Sequence, residues 1–598
     1  MLHRSGPPAG GSASGTGAGL PGWAGALLVG IAGVLSAAAA WRTWILPFVD
    51  SSREMNVPAR LAAGERLYRD VVYYYGPAGP WINAAAISIF GRKFAVLEAV
   101  GALAAALLFL SLARLTVRAG SRLSALAAAI WAAALCVGSP NGGSFLFPYS
   151  FGALWALAGA FAALAAAAGP PSRRSRAAVA AGIALALLAK PEIGVAAAIL
   201  MLAAALRSED RSAEWRRAAT GVGLGVAGAA IGWAIAAAGL PLSAFAPEGP
   251  LALFSPPAEW RNVYRMMSGF ADPAGSASAV ATALVLAAGI VAVALAFGSD
   301  AAGRRPRAVV AGAWILVGGI VLFLAAGPGA QIEDRLPPLL APMPALSAVA
   351  ALLLLRAPLD ARGRARFLLF AFSAAAASRV LFGLAYGRIT TPYSVLAFPG
   401  LAATAAVLAL DVLPLRAAFP RGAKAFVAGV FGAGAILAIT RGARFHPADR
   451  FPSVETAAGT LRLPAAQAAP VARTLAFLAA EARPGDGVAG FPEGGLFNFA
   501  TGLRNPLREE QILPGHLDAR REGEVAARIE GAGPRFLILA NQPTAAFGKT
   551  AFGEDYARQI RGAVAKHYRL AASFGDAPPG APVGDPRFFL RVYERVPR

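Results

Sequence analysis

The densest group of reactive side chains lies in FVDSSREMNVPARLAAGERLYRDVVYYYGPAGPW, Phe48 to Trp81. It holds four carboxylates (Asp50, Glu54, Glu65, Asp70), four arginines (Arg53, Arg60, Arg66, Arg69) and three adjacent tyrosines ending at Tyr75, just before Gly76-Pro77. A carboxylate can orient or deprotonate a hydroxyl. Arginine holds phosphate bidentately and lysine holds it as a point charge. Ser51 to Glu54 fits a capping box that would begin a helix. On that helix Asp50, Glu54, Val57, Leu61, Gly64 and Tyr68 share a face, so Asp50 and Glu54 would point together into a cavity, with Pro58 kinking the helix. The plainer alternative is an interfacial loop, with Tyr73, Tyr74 and Tyr75 in an aromatic belt and the arginines paired on a solvated surface.

What must position these groups is a membrane domain. The chain has 598 residues, 57% hydrophobic and 15% charged, with a mean hydropathy of +0.56. Soluble chains carry about 25% charged residues, and a span needs about 20 apolar ones. Apolar runs fall near 23–46, 94–113, 123–138, 149–168, 177–189, 191–206, 218–239, 275–297, 308–326, 339–355, 367–386, 392–411 and 424–440. The 177–206 segment reads as two helices broken at AKPE or as one long helix, and Pro191 favours the break. Basic loops at 114–122, 172–176, 207–217, 304–307, 356–366 and 416–424 then all fall on one side, the cytoplasmic one. Thirteen spans result, with the N-terminus inside and the C-terminus outside. Residues 1–22 read as a disordered tail. LSAAAA at the end of the first run resembles a cleavage site, but the preceding region is weak for a signal peptide, so the first helix is expected to stay.

The net charge of +22 belongs to those loops, which argues against a nucleic-acid partner. A single cysteine, Cys136, excludes an intrachain disulfide, and four scattered histidines give no zinc pattern. After about Gly442 the long apolar runs stop. Residues 445–598 repeat a helix, turn and strand pattern and end in the strand RFFLRVYERV, which predicts a small extracytoplasmic α/β domain. The loop at 241–273, with Glu248, Glu259, Arg261 and Arg265, would either cover a site or lie on the membrane surface.

The acid after the first span (Asp50), GERLYRD (Gly64 to Asp70), YGP (Tyr75 to Pro77) and AKPE around Lys190 resemble the first external loop and fifth-span motif of GT-C glycosyltransferases. The similarity is to aminoarabinose transferases, protein O-mannosyltransferases and lipopolysaccharide-core (RgtA/B/C/D-like) transferases. It extends along most of the chain, to GFPEGGLFNFATGLRNP (Gly490 to Pro506). The resemblance implies a mainly α, polytopic GT-C fold of about 13 transmembrane helices, with a membrane domain at 23–442, its first external loop at 47–93, and the α/β domain at 445–598. It implies transfer of a sugar from a polyprenyl-phosphate donor to a lipid, glycan or protein acceptor at the outer face of the cytoplasmic membrane, in one inverting displacement.

By position Asp50 matches the family's acid and would act as base, with Glu54 or Asp70 as a second carboxylate. The departing phosphate needs cations; Arg53, Arg69, Lys190 and Arg379 would bind it, with Tyr74, Tyr75, Glu192, Arg335 and Arg388 lining the site. Arg53 and Arg69 could instead pair with Glu54 and Asp70, and Lys190 with Glu192. Two departures stand out. The Lys-Pro-Pro of aminoarabinose transferases is replaced by Tyr75-Gly76-Pro77, and the loop SPNGGSFLFPYS, where several members carry a second acid, has none. No cofactor is called for, and a divalent metal stays open. The alternatives are a transporter or flippase of envelope glycan precursors, which would show related halves that this chain lacks, and a membrane polymerase or ligase of another fold.

Overall fold

A computed structural model describes residues 22–43, 47–48, 50–138, 144–241, 256–278, 342–378, 396–412, 448–576 and 587–597, with short pieces within 244–254, 280–285, 340, 380 and 432–443. The molecule is mainly helical with a small region of sheet. The helical part comprises α1 (Gly22–Ala40), α2 (Ser51–Ala62), α3 (Ala78–Phe90), α4 (Phe94–Ala119), α5 (Arg122–Val137), α6 (Phe151–Ala167), α7 (Arg173–Ala189), α8 (Pro191–Leu206), α9 (Arg211–Ala237) and α10 (Ala258–Ser268). It continues with α11 (Met343–Leu354), α12 (Ala361–Ala377) and α13 (Phe398–Val407).

Ten of the thirteen apolar runs hold these helices; 308–326 lies outside the described residues, and 275–297 and 424–440 are described only in part. Among the described residues α4 and α9 are long and apolar enough to cross a membrane by length and composition, so the count of thirteen is not established by helix length. Apolar side chains nonetheless cover the outward faces, with Leu103 62% and Ile231 63% exposed. A soluble protein rarely shows such a surface, and lipid accommodates it.

The 177–206 segment does break. Lys190 ends α7, Pro191 opens α8, and the missing N–H of proline costs nothing at that position. Small residues let the helices approach: a Cβ on Gly182 of α7 would come within 2.4 Å of the Gly159 carbonyl oxygen of α6. The described basic loops gather at one end. There Arg217 donates to the Ala166 carbonyl (2.9 Å), Arg364 pairs with Glu214 (3.1 Å), the Leu359 N–H donates to the Arg207 carbonyl (2.7 Å) and Arg366 donates to the Ala119 carbonyl (2.8 Å). The Phe48–Trp81 stretch lies at the opposite end, with Lys190.

Residues 448–597 hold a short β1–β2 ladder (Ser453–Val454 with Leu461–Arg462) and a four-stranded sheet. Its strands are β3 (Val488–Phe491), β4 (Phe536–Ala540), β5 (Tyr568–Gly575) and β6 (Phe589–Arg595), in the order β3-β4-β6-β5. β4 runs parallel to β3 (Val488 opposite Phe536) and antiparallel to β6 (Phe536 opposite Glu594). The helices are α14 (Ala465–Glu481), α15 (Gly495–Thr501), α16 (Ala519–Ala532) and α17 (Arg558–His567). Strand alternation sends Phe536, Ile538 and Ala540 to the α14 face, and Leu537 and Leu539 to the α16–α17 face. Because β4 is covered on both sides, its sequence is uniformly apolar.

The sheet part joins the helical part along α2 and the start of α4. The ring pairs Phe48–Phe497 (5.9 Å) and Phe94–Phe499 (5.1 Å) cross the junction, as does the hydrogen bond from the Val72 N–H to the Arg508 carbonyl (2.9 Å). Gly76 turns the chain against the end of α7, and a Cβ there would sit 2.1 Å from the Leu188 carbonyl oxygen. Gly76→Ala should therefore lower stability by about 1–3 kcal/mol through overpacking, read as a fall in melting temperature in detergent. Gly223→Ala, whose Cβ would meet nothing within 4 Å, is the control, and equal melting of the two variants would refute the close approach.

Candidate active site

Helix α2 and its N-cap place half-buried Asp50 beside buried Arg53 and Glu54 in one cluster. The expected capping box does not form: Asp50 occupies the N-cap position with no side-chain cap bond. Both α2 acids turn instead to Arg53, a buried guanidinium that needs anionic partners. Arg53 Nη1 lies 2.9 Å from Asp50 Oδ1, and Nη2 lies 3.2 Å from Glu54 Oε1. The other Glu54 oxygen accepts from the Phe151 N–H (2.9 Å), at the start of α6. Glu54 therefore reaches the end of the loop that carries no acid of its own, and the α6 dipole favours a negative charge there. Tyr73 also donates to Glu54 Oε1 (3.2 Å). Burial pushes the Glu54 carboxyl up, and Arg53 opposes that shift.

Two further residues come from the sheet part. Glu493, at the end of β3, accepts from the Asp50 N–H (2.7 Å). Gln511 accepts from Arg53 (2.5 Å) and donates to Glu493 Oε1 (2.7 Å) and Asp50 Oδ1 (3.3 Å). Asp50 has φ 57° and ψ −40°, a conformation that costs a non-glycine residue about 1–3 kcal/mol. Burial, with the Asp50 charge adding to it, pushes the Glu493 carboxyl well above the usual carboxylate range. Neither residue stood out in the sequence. The available signal was an acid between proline and two glycines in FPEGG, at the end of a predicted strand.

Beside this cluster lies a cavity of about 350 Å³ lined by Tyr74, Tyr75, Lys190, Glu192, Trp233 and Phe245 among others. Tyr75 separates the two spaces: the Arg53 guanidinium lies 4.7 Å from its ring centre and Lys190 Nζ 5.5 Å. Lys190 is buried although it sits between apolar helices, whereas Glu192 is exposed. The tyrosines do not form an outward belt. Tyr73 and Tyr74 are buried, and Tyr74 donates to the His516 carbonyl (3.3 Å). The described parts of the 241–273 loop pack over the site, where Phe245, Pro250 and Leu251 line the cavity. Trp260 of α10 donates to the Pro514 carbonyl (3.2 Å), and Glu259 lies 3.8 Å from Lys549. Glu248 lies outside the described residues.

Arg69 and Asp70 are elsewhere. They pair with each other (2.7 Å) and line a separate polar cavity with Arg60, Glu65, Arg92 and Arg504. The hydrogen bond from Arg69 holds the Asp70 carboxyl down at about 2. The structure therefore brings Asp50, Arg53, Glu54, Tyr75 and Lys190 together but not Arg69 and Asp70. Arg335, Arg379 and Arg388 lie outside the described residues. Among the described residues no group of three or more His, Cys, Asp or Glu side chains is arranged to hold a metal ion.

No model of a known protein family matches the sequence, and no curated protein matches it. Among solved structures the chain is similar to ArnT from Cupriavidus metallidurans bound to undecaprenyl phosphate, at 15% identity and a TM-score of 0.44, over 96% of this chain and 98% of that one. It is also similar to the Archaeoglobus fulgidus oligosaccharyltransferase in complex with zinc and sulfate (13% identity, TM-score 0.43, 86% of this chain and 68% of that one). A third similarity is to AglB from the same organism with an inhibitory peptide and a dolichol-phosphate (15%, 0.40, 94% and 74%). At these values the likeness assigns neither a residue correspondence nor an activity.

His516 packs between Tyr74 and Trp260, with ring centres at 5.0 and 5.2 Å, and its Nδ1 donates to the Gln511 carbonyl (3.3 Å). Burial lowers its pKa from 6.5 to about 4. The unfolded chain therefore binds the extra proton first, so stability present above pH 6.5 is lost as pH falls from 6.5 toward 4, by up to roughly 3 kcal/mol. His516→Leu should flatten the melting profile over that window relative to wild type. Parallel profiles would show that His516 is not held neutral by the fold.

Proposed function

We propose that the protein is a membrane glycosyltransferase that moves a sugar from a polyprenyl-phosphate carrier to an acceptor hydroxyl at the outer face of the cytoplasmic membrane. The basic loops face the cytoplasm, the 23–442 helical domain holds the site, and the 445–598 α/β domain lies outside. The observation that carries this reading is a buried acid–arginine cluster separated by one tyrosine ring from a cavity holding Lys190. An ionisable group kept among apolar helices is costly unless it is used, and both ends of a transfer site are present.

The step is a single displacement. The acceptor oxygen attacks the anomeric carbon, the bond from that carbon to the phosphate oxygen breaks, and the electron pair leaves on the prenyl phosphate. Asp50 takes the acceptor proton, and inversion follows from the in-line geometry. Asp50 Oδ1 is held by Arg53 and Gln511, and no hydrogen bond to Oδ2 is found among the described residues, which leaves that oxygen for the acceptor. Lys190 offsets charge on the departing phosphate, with Arg379 as a second cation. Arg53 is committed to Asp50 and Glu54, so its part is to shape the acid, while Tyr74, Tyr75 and Glu192 line the donor pocket. Arg335 and Arg388 are proposed to line the site as well. Asp70 with Arg69 shapes the loop edge.

Purified protein in detergent, given polyprenyl-phosphate sugars, should transfer or hydrolyse the sugar. Asp50→Asn should cut kcat by about 10²–10⁴-fold; full activity in that variant would remove the base assignment. Lys190→Ala should raise donor KM by about 10- to 100-fold. An unchanged KM would take Lys190 out of the donor site.

A further inference from the structure

We propose that Glu493 and Gln511 are positioning residues for Asp50, so that the α/β part supplies half of the acid's setting rather than acting as a cap. The inference rests on the reaction read above for its kinetic meaning, but the contact itself is independent of that reaction. Gln511 has one carbonyl oxygen and two amide hydrogens. The oxygen is taken by Arg53 and the hydrogens reach Asp50 Oδ1 and Glu493 Oε1, so a single side chain fixes the relative places of two carboxylates and the guanidinium. Glu493 accepts the Asp50 N–H through its other oxygen and so fixes the backbone of the same residue.

This second contact matters because Asp50 has a positive φ and no side-chain cap bond of its own. Without an external acceptor at its N–H, the first turn of α2 is free to relax and the carboxylate turns away. Glu493 and Gln511 are both buried, and Glu493 is fully so. A buried carboxyl beside a second acid is costly and is not needed for packing. A polar surface contact would not require that cost, whereas holding an acid in a strained pose does. Glu493 and Gln511 lie 443 and 461 residues from Asp50, so the setting exists only when the two parts of the chain are docked.

The test uses full-length protein in detergent, with Gln511→Leu and the milder Glu493→Gln. Glu493→Gln keeps an acceptor for the Asp50 N–H but turns an NH2 group toward Gln511. Positioning predicts that Gln511→Leu lowers kcat at least about 30-fold with donor KM within about threefold, and that Glu493→Gln gives a smaller loss. In an Asp50→Asn background, adding Gln511→Leu should cost less than about twofold, because the residue acts only through Asp50. A loss of equal size in both backgrounds would mean a structural contact and overturn the proposal.

A readout without activity is labelling by a water-soluble carbodiimide and glycine ethyl ester, followed by peptide mass spectrometry. Labelling at Asp50 should rise at least about fivefold in both variants, with exposed Glu524 as the unchanged reference. Unchanged labelling at Asp50 overturns the clamp whatever the kinetics. A wild-type protein that transfers no sugar, yet whose variants show the labelling rise, removes the proposed reaction and keeps the clamp.

Discussion

A buried guanidinium must be neutralised where it stands, and much of this site follows from Arg53. Removing one partner of a buried ion pair costs about 3–5 kcal/mol, because the remaining charge stays in a low dielectric. Arg53 meets this constraint with Asp50, Glu54, the Gln511 side-chain oxygen Oε1 and the Tyr75 ring. Each of those partners brings a different element with it. Glu54 reaches the start of α6, Gln511 brings the sheet part, and Tyr75 brings the YGP turn and the wall of the Lys190 cavity. The acid and the cavity therefore cannot be placed independently of one another.

A second network beside the first does similar work. Arg60 of α2 pairs with Glu510 (2.6 Å) and Glu65 (2.6 Å) and donates to the Leu507 and Asp70 carbonyls, while Asn56 donates to Glu510 (2.9 Å). Successive turns of one short helix are thus bonded to the 505–511 segment. Such contacts are directional, so they fix the register of docking in a way that apolar packing alone does not. The aromatic group of Tyr74, Trp260 and His516 packs together at the adjoining edge, with all three side chains buried. The inside of the junction thus holds polar networks beside an apolar core of Phe48, Phe94, Phe497 and Phe499.

Much of the local structure was legible in the sequence. Pro191 after Lys190 marks the break between α7 and α8, since proline has no N–H to continue a helix. The three helix–strand repeats and the final strand of the C-terminal part follow from a change of hydrophobic period from 3.6 to 2, and the uniformly apolar FLILA is the composition of a strand covered on both faces. The gathering of the described basic loops at one end follows from the same break, because α7 and α8 must then run in opposite directions. That Asp50 would need partners was legible too: an aspartate directly after a long apolar run is expensive to keep alone.

The sequence alone determined which residues could carry charge chemistry and roughly where the chain would turn. Local periodicity and the cost of buried charge are properties of short segments. Only the tertiary structure decided which of those residues meet. Asp70, twenty residues beyond Asp50 and of the same type, pairs with its neighbour Arg69 in a different cavity, whereas Glu493 and Gln511, more than four hundred residues away, hold Asp50. The predicted capping box at Ser51–Glu54 failed for the same reason: a nearby backbone N–H lost to a buried arginine and a distant helix start. Proximity in space is set by how α2 docks against the 493–511 segment, a sum over many weak contacts that no single stretch of sequence encodes.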